Sequence, residues 1–98
     1  PARDLATPAA ARASAPAPHY LRMALLDKPG ALARVATALG DSGVSIDRMR
    51  QYGHADTTAP VLIVTHKTTR DALDHAIAAM AATGVVVGNP VAIRIEAV

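Results

Sequence analysis

Apolar and polar residues alternate along His19–Leu26, and this pattern predicts a β-strand in which Leu21, Met23 and Leu25 share one face. After a short turn, apolar residues recur at i, i+3, i+4 and i+7, the spacing of one helix face: Leu32, Val35, Ala36 and Leu39. Gly43 suits the left-handed position just past the end of that helix. The folded part of the chain therefore opens as a strand followed by an amphipathic helix.

Two further strands follow, joined by a polar loop. Alternation restarts at Val44–Ile46, but the next apolar residue, Met49, comes one position late, which indicates a β-bulge near Asp47–Arg48. The polar stretch Tyr52–Thr58 predicts a hairpin connection. Ala59–His66 then has apolar residues on both faces, so we expect a strand buried on both sides.

A second helix and a last strand complete the domain. Thr68, with Asp71 three residues later, has the hydroxyl-then-acid pattern of a helix start, and Gly84 marks the helix end. The apolar stripe of this helix comprises Leu73, Ala76, Ile77, Ala79 and Met80. Val85–Glu96 forms a final strand, interrupted at Gly88-Asn89-Pro90.

The order βαββαβ predicts an α+β, ferredoxin-like sandwich. Two right-handed crossovers in this order give a four-stranded antiparallel sheet with the first and third strands in the middle and both helices on one face. The other face of the sheet, including Leu62 and Val64, remains uncovered by helices. We expect a second copy of the domain to cover it, which makes the protein a homodimer through the sheet.

The first eighteen residues differ from the rest in composition. Residues 1–18 are rich in Ala and Pro, which predicts a linker, and Ala2–Ala6 resembles the end of a helix from an upstream catalytic domain. Residues 19–98 form the folded domain. The chain lacks an initial Met, so we interpret it as part of a longer protein. A domain of about 80 residues is marginally stable by itself, which again favours oligomerisation.

Composition removes several classes of function. The chain has no Cys, which excludes disulfides, thiolate metal sites and cysteine catalysis and fits a cytoplasmic protein. It has two Tyr and neither Phe nor Trp, so the core must be aliphatic. No apolar run approaches the ~18 to 20 residues that a membrane span needs, so we expect no membrane association. The formal net charge is only +2 and the basic residues are scattered.

Catalysis, metal binding and nucleic-acid binding are not indicated. The four histidines lack zinc-ligand spacing, and we expect all of them to be solvated or partly buried: His19, His54, His66 and His75. There is no nucleophile elbow, so we expect no catalytic residues, no metal and no enzyme activity in this chain by itself. RNA-binding domains of this fold stack bases on sheet aromatics, and Tyr20 is the single aromatic residue within the predicted strands.

The turn Asp27-Lys28-Pro29-Gly30-Ala31-Leu32 carries the chemistry that remains. The N–H groups at a helix N-terminus can hold an anion, and the carboxylate of Asp27 can hold a cation. An amino acid carries one group of each kind. Asp27 equally suits a helix N-cap, and at this point both roles stay open.

This turn resembles the signature of the ACT domain, an amino-acid-sensing regulatory module. The family pattern is an acidic or amide residue, any residue, Pro-Gly, an aliphatic residue and Leu, and it matches Asp27–Leu32, with Gly43–Ile46 re-entering the sheet. The chain is similar in particular to the C-terminal regulatory domains of bacterial homoserine dehydrogenases. That similarity is carried by Tyr20–Met23, the run Ala59-Pro60-Val61 with Thr65-His66, and Val91–Glu96.

The resemblance implies specific roles for these residues. Asp27 would contact the amino group of a bound amino acid, and the backbone N–H groups of Gly30, Ala31 and Leu32 would contact its carboxylate. Ser45 and Ile46 would approach its side chain, commonly at an interface between two ACT domains. The implied ligand is threonine, acting as feedback inhibitor, and the implied parent is an NAD(P)-dependent oxidoreductase whose cofactor binds outside this domain. The alternative is a ligand-free structural dimerisation module.

Overall fold

The computed structural model describes residues 15–53 and 57–96. It consists of a four-stranded antiparallel sheet with two helices on one face. The elements are β1 (His19–Leu26), α1 (Ala31–Asp41), β2 (Ile46–Gln51), β3 (Thr58–Thr65), α2 (Arg70–Ala82) and β4 (Val86–Arg94). The strand order is β2-β3-β1-β4, and each neighbouring pair is antiparallel. The predicted ferredoxin-like fold, with β1 and β3 in the middle, is confirmed.

The core lies between the sheet and the helices. It is built from aliphatic side chains and methionine, as the composition required: Leu21, Met23, Leu25, Ala31, Val35, Ala38, Leu39, Val44, Val61, Ile63, Leu73, Ala76, Met80 and Val85. Strand β3 is buried on this side alone, because Leu62 and Val64 on its other side are only half-buried. Both helices cover the same face, as predicted, so burial of the second face of β3 by a second copy stays a prediction.

The helices pack with slightly different faces from those that we expected. Ala31, Val35, Ala38 and Leu39 of α1 are buried, whereas Leu32 and Ala36 are half-buried. On α2 the buried residues are Leu73, Ala76 and Met80, and Ile77 and Ala79 are half-buried. The small alanine side chains allow each helix to approach the sheet closely, so the larger Leu32 and Ile77 lie at the margins of the contact.

Gly43 lies just past the end of helix α1 in a left-handed conformation, as predicted. The Val44 N–H donates to the Leu39 carbonyl at 2.9 Å and the Gly43 N–H to the Gly40 carbonyl at 3.0 Å. Gly43 is left-handed, with a φ of 79°. These two bonds define a Schellman motif, which satisfies carbonyls that the helix end would otherwise leave without donors.

Helix α2 begins one residue later than predicted. Its N-cap is Thr69, whose hydroxyl oxygen accepts a hydrogen bond from the Ala72 N–H at 3.1 Å. Thr68 is buried and pairs with Ala17 through two backbone hydrogen bonds of 3.0 and 2.9 Å. The prediction that Thr68 caps the helix was wrong, because Thr68 pairs with Ala17, a residue distant in sequence, and Thr69 takes the capping position.

Both predicted strand irregularities are present. In β2 the pairing moves from Ile46 opposite Thr65 to Arg48 opposite Val64, so Asp47 is the extra residue of the bulge. In β4 the interruption at Gly88-Asn89-Pro90 is also a bulge, because the strand continues through it from Val86 to Arg94. Gly88 has a φ of 73°, which the bulge requires.

The last residues of the predicted linker pack against the domain. The Ile95 N–H donates to the Pro18 carbonyl at 2.9 Å, and Arg94 Nη1 donates to the Ala15 carbonyl at 2.9 Å. Ala17 is buried beside Thr68. The rest of the predicted linker, including Ala2–Ala6, lies outside the described residues.

His19 is buried, contrary to the expectation that it is solvated or partly buried. Only 2% of its surface is exposed, its Nδ1 donates to the Ala17 carbonyl at 3.0 Å, and its backbone N–H donates to the Thr65 hydroxyl at 3.0 Å. Burial lowers the pKa of the imidazole, and Arg70 and Arg94 lower it further. The Ala17 carbonyl and Asp74 oppose this shift. His66 and His75 are exposed, and His54 lies outside the described residues.

We predict that acid destabilises the domain partly through His19. Because its pKa is lower in the folded state than the ordinary 6.5, its stabilising contribution is complete above that value and is lost as the pH falls below it. The free energy of unfolding, measured with urea between about pH 7.5 and about pH 5.5, should fall less in His19→Asn than in the native chain. In the control variant His75→Asn, which changes an exposed histidine, the free energy of unfolding should fall with pH as much as in the native chain. Equal slopes for His19→Asn and the native chain would contradict this account.

Candidate functional site

The turn between β1 and α1 is shaped by Gly30. Gly30 is the N-cap of α1 with a φ of 82°, and no side chain caps this helix. Its carbonyl accepts the first helical hydrogen bond, from the Arg34 N–H at 3.1 Å. Asp27 lies three residues before the cap, and its own N–H donates to the Thr57 carbonyl at 2.8 Å. The interpretation of Asp27 as the N-cap is therefore wrong, because the left-handed glycine starts the helix instead.

Backbone N–H groups at this turn are available to an anion. Within residues 15–53 and 57–96, the N–H groups of Gly30 and Leu32 have no acceptor, whereas the Ala31 N–H makes a long bond of 3.3 Å to the Lys28 carbonyl. The first turn of α1 contains no acidic residue that would neutralise the positive end of the helix dipole. Two of the three predicted donors are thus open, and the third is weakly engaged.

The side chains of the turn point in different directions. Asp27 and Lys28 are both exposed. Ala31 is only 4% exposed and its methyl group belongs to the core, so it can contact a ligand only through its backbone. Leu32 is half-buried and packs against the core. The turn therefore offers backbone donors and one carboxylate to a ligand.

Ser45 and Ile46 lie at the other end of the domain. Ile46 pairs with Thr65 at the end of β3, whereas Asp27 bonds Thr57 next to the start of β3. Helix α1, with its 11 residues, separates the two groups by about 16 Å. Ser45 is exposed and its carbonyl accepts from the His66 N–H at 2.9 Å. One copy of the domain thus brings Asp27, Gly30, Ala31 and Leu32 together, but not with Ser45 and Ile46.

The sheet face opposite the helices is open and contains a groove of about 560 Å³. Tyr20 and Tyr52 both line it, and each is 41% exposed. The Arg50 guanidinium lies 5.2 Å from the centre of the Tyr52 ring. Tyr52 lies in the loop that directly follows β2, as predicted, and the strand order brings it into the same groove as Tyr20.

In the described part of the chain, no three His, Asp or Glu side chains are grouped so that they could hold a metal ion. No helix among these residues is both long and apolar enough to cross a bilayer.

Homoserine dehydrogenases are among the known proteins to which this chain is similar. The family model of the ACT domain matches residues 19–84. Homoserine dehydrogenases of Methylobacillus glycogenes and Pseudomonas aeruginosa are each 39% identical over 80 residues, which is 80% of this chain and 19% and 18% of the relatives. The solved homoserine dehydrogenase of Thiobacillus denitrificans superposes with a TM-score of 0.74 at 32% identity, covering 85% of this chain and 18% of that one. The chain thus spans about a fifth of the length of these relatives.

We predict that the left-handed conformation of Gly30 is needed for stability. A Cβ at Gly30 meets no atom within 4 Å, so Gly30→Ala should lower the free energy of unfolding only through the backbone, by about 1–2 kcal/mol. Gly40→Ala is the matched control, because Gly40 lies within α1 and also has space for a Cβ. It should raise the free energy of unfolding by about 0.5–1 kcal/mol. Urea denaturation measures both, and effects of the same sign would contradict the assignment.

Proposed function

The chain belongs to the ACT domain family, and from this we propose that it is the amino-acid-binding regulatory domain of a homoserine dehydrogenase, where it mediates feedback inhibition by threonine. The observation that carries the proposal is the turn before α1, where open N–H groups of Gly30 and Leu32 lie beside the exposed Asp27. The parent would be a cytoplasmic, NAD(P)-dependent oxidoreductase. In this proposal the cofactor and the catalysis belong to other parts of that enzyme.

The two charged groups of an amino acid match this turn. Its carboxylate would accept hydrogen bonds from the Gly30 and Leu32 N–H groups at the positive end of α1, and its ammonium group would pair with Asp27. Charge-assisted hydrogen bonds of this kind are roughly twice as strong as neutral ones. The backbone and one carboxylate would thus recognise what all amino acids share.

Selectivity for threonine would come from Ser45 and Ile46 of a second copy. A two-fold axis perpendicular to the strands places the α1 turn of one copy near the Ser45 end of the other. The Ser45 hydroxyl and the Ile46 side chain suit the hydroxyl and the methyl group of threonine. Since one copy holds these residues about 16 Å from the turn, the complete site requires the dimer.

The edge of β2 is the part of the sheet that best fits this pairing. The other edge strand, β4, contains the Gly88–Pro90 bulge, and Pro90 lacks an N–H. This edge is therefore poorly suited to pairing with another strand. Beyond Asp47, β2 pairs regularly with β3, and its Met49 is 40% exposed. Helix α1 packs against β1 and β2, so its N-terminal turn is on the side of the β2 edge. Antiparallel β2–β2 pairing would therefore complete two equivalent sites.

Regulation would follow from binding at this interface. A ligand held between two copies stabilises one relative arrangement of the domains, and the coupling free energy of such sites is typically ~1 to 3 kcal/mol. The rival function is a structural dimerisation module without a ligand. The exposed Met49 and the open β2 edge support it equally well, because they explain pairing and make no demand for an amino acid. A dimer dissociation constant that no amino acid changes would favour this rival.

We predict that threonine binds and that Asp27 contributes to its affinity. Titration calorimetry of the chain with threonine should show heat, and Asp27→Ala should weaken binding by about 10- to 100-fold, the loss of a hydrogen bond to a charged group of ~1.5–3 kcal/mol. Lys28→Ala changes an exposed neighbour and should bind like the native chain. Absence of heat with the native chain would exclude the sensor function and leave the structural one.

We predict that a charge at the β2 edge dissociates the dimer. Met49→Glu would bring two carboxylates close to the two-fold axis and should raise the dimer dissociation constant at least about tenfold, which corresponds to ~1.4 kcal/mol. Ile93→Glu changes the open sheet face and should leave the constant unchanged. Sedimentation equilibrium measures both variants. The reverse result would place the dimer contact on the open face.

A further inference from the structure

The open face of the sheet is apolar at its centre and basic along one side. Tyr20 of β1 lies opposite Val64 of β3 and Ile93 of β4, and Val91 is the next outward residue of β4. Tyr20, Val91 and Ile93 are 41%, 43% and 51% exposed, respectively. Exposed apolar side chains that adjoin in this way mark a surface for binding rather than an ordinary solvated face.

Three arginines share this face. Arg22 lies opposite Leu62 and Val91, while Arg48 and Arg50 point outward from β2. Among the described residues, the outward positions of the four strands carry no acidic side chain. Asp47, the extra residue of the β2 bulge, also lines the groove and lies 3.6 Å from Arg48 Nε and 3.8 Å from His66 Nε2. Tyrosine and arginine around an apolar centre, without lysine, are typical of protein–protein interfaces.

The charge on the face selects the kind of partner. Two copies packed face to face would place arginines against arginines, and Asp47, which already pairs with Arg48, is the one carboxylate among the described residues that line the groove. Like charges in an interface cost several kcal/mol. A nucleic acid would pair with the arginines, but it would leave Leu62, Val91 and Ile93 without apolar partners. A protein surface with carboxylates around an apolar centre would pair with the arginines and also cover the apolar side chains.

The course of the chain indicates where that surface comes from. Pro18 and Ile95 line the same groove as Tyr20 and Arg50, so the polypeptide enters the domain at the rim of the open face. The Ile95 N–H holds the Pro18 carbonyl at 2.9 Å, which fixes this entry. The relatives are more than four times as long as this chain, since the 80 matched residues are only 18–19% of them.

We propose that the open face, centred on Tyr20, Arg22 and Ile93, docks against an acidic and apolar surface on the remainder of the parent polypeptide. The inference rests on the proposed function only in that the domain is part of a longer enzyme. It does not require an amino acid to bind. Docking would hold the sheet against the enzyme body while the β2 edge stays available to a second copy.

Photo-cross-linking in the full-length protein tests the proposal. With Ile93→p-benzoylphenylalanine, irradiation followed by mass spectrometry should identify Asp- and Glu-containing peptides from outside these 98 residues. The matched control carries the same group at Ala78, an exposed position of α2 on the helix side, and should not cross-link to those peptides. Adding Arg22→Glu to the Ile93 variant should reduce the cross-linked product at least about tenfold, whereas Arg22→Lys should retain most of it.

Three outcomes would overturn the proposal: a cross-link from position 93 to the sheet of a second copy, a cross-link to nucleic acid, or no cross-linked product. Calorimetry with threonine on the Arg22→Glu variant separates this proposal from the proposed function. Threonine binding without cross-linking would refute docking alone. Cross-linking without threonine binding by the native chain would refute the sensor function alone.

Discussion

The one-sided burial of β1 is the constraint on which the rest of the structure depends. Leu21, Met23 and Leu25 are at most 5% exposed, while Tyr20 and Arg22 on the other side of the same strand remain exposed. Because β1 lies in the middle of the sheet, its buried face requires both helices on one side, and its other face is then left open. The core, the turn before α1 and the open face all follow from this arrangement.

The turn before α1 and the start of β2 connect to opposite ends of the same helix, and this has consequences for function. A small ligand cannot span the ~16 Å between them, so the six residues of the proposed site act together only in an assembly of two copies. Binding would then depend on how two domains are paired. In the proposed function, regulation by an amino acid and dimerisation would be two aspects of one interface, which would couple them physically.

Residues 15–19, which lead into the domain, are held by hydrogen bonds to residues far away in sequence. His19 bonds Thr65, Ala17 pairs with Thr68, and Arg94 bonds the Ala15 carbonyl. The junction between β3 and α2 therefore touches the incoming chain on one side, and through His66 it touches Ser45 on the other. Hydrogen bonds thus link Ser45 to His66 and the neighbouring Thr65 to His19 at the start of β1.

The spacing of apolar residues was enough to predict the strands, the helices, their order and the Asp47 bulge. The end of α1 at Gly43 followed from the conformational freedom of glycine. Both signals lie within short segments of the chain. The resemblance carried by Asp27–Leu32 likewise indicated the family. Tertiary structure decided which residues are central in each helix contact, that Thr69 caps α2, and that His19 is buried. It also decided that Ser45 and Ile46 lie far from the turn and that Tyr20 and Tyr52 line one groove. These features depend on contacts between distant segments, which the spacing of residues along a chain does not encode.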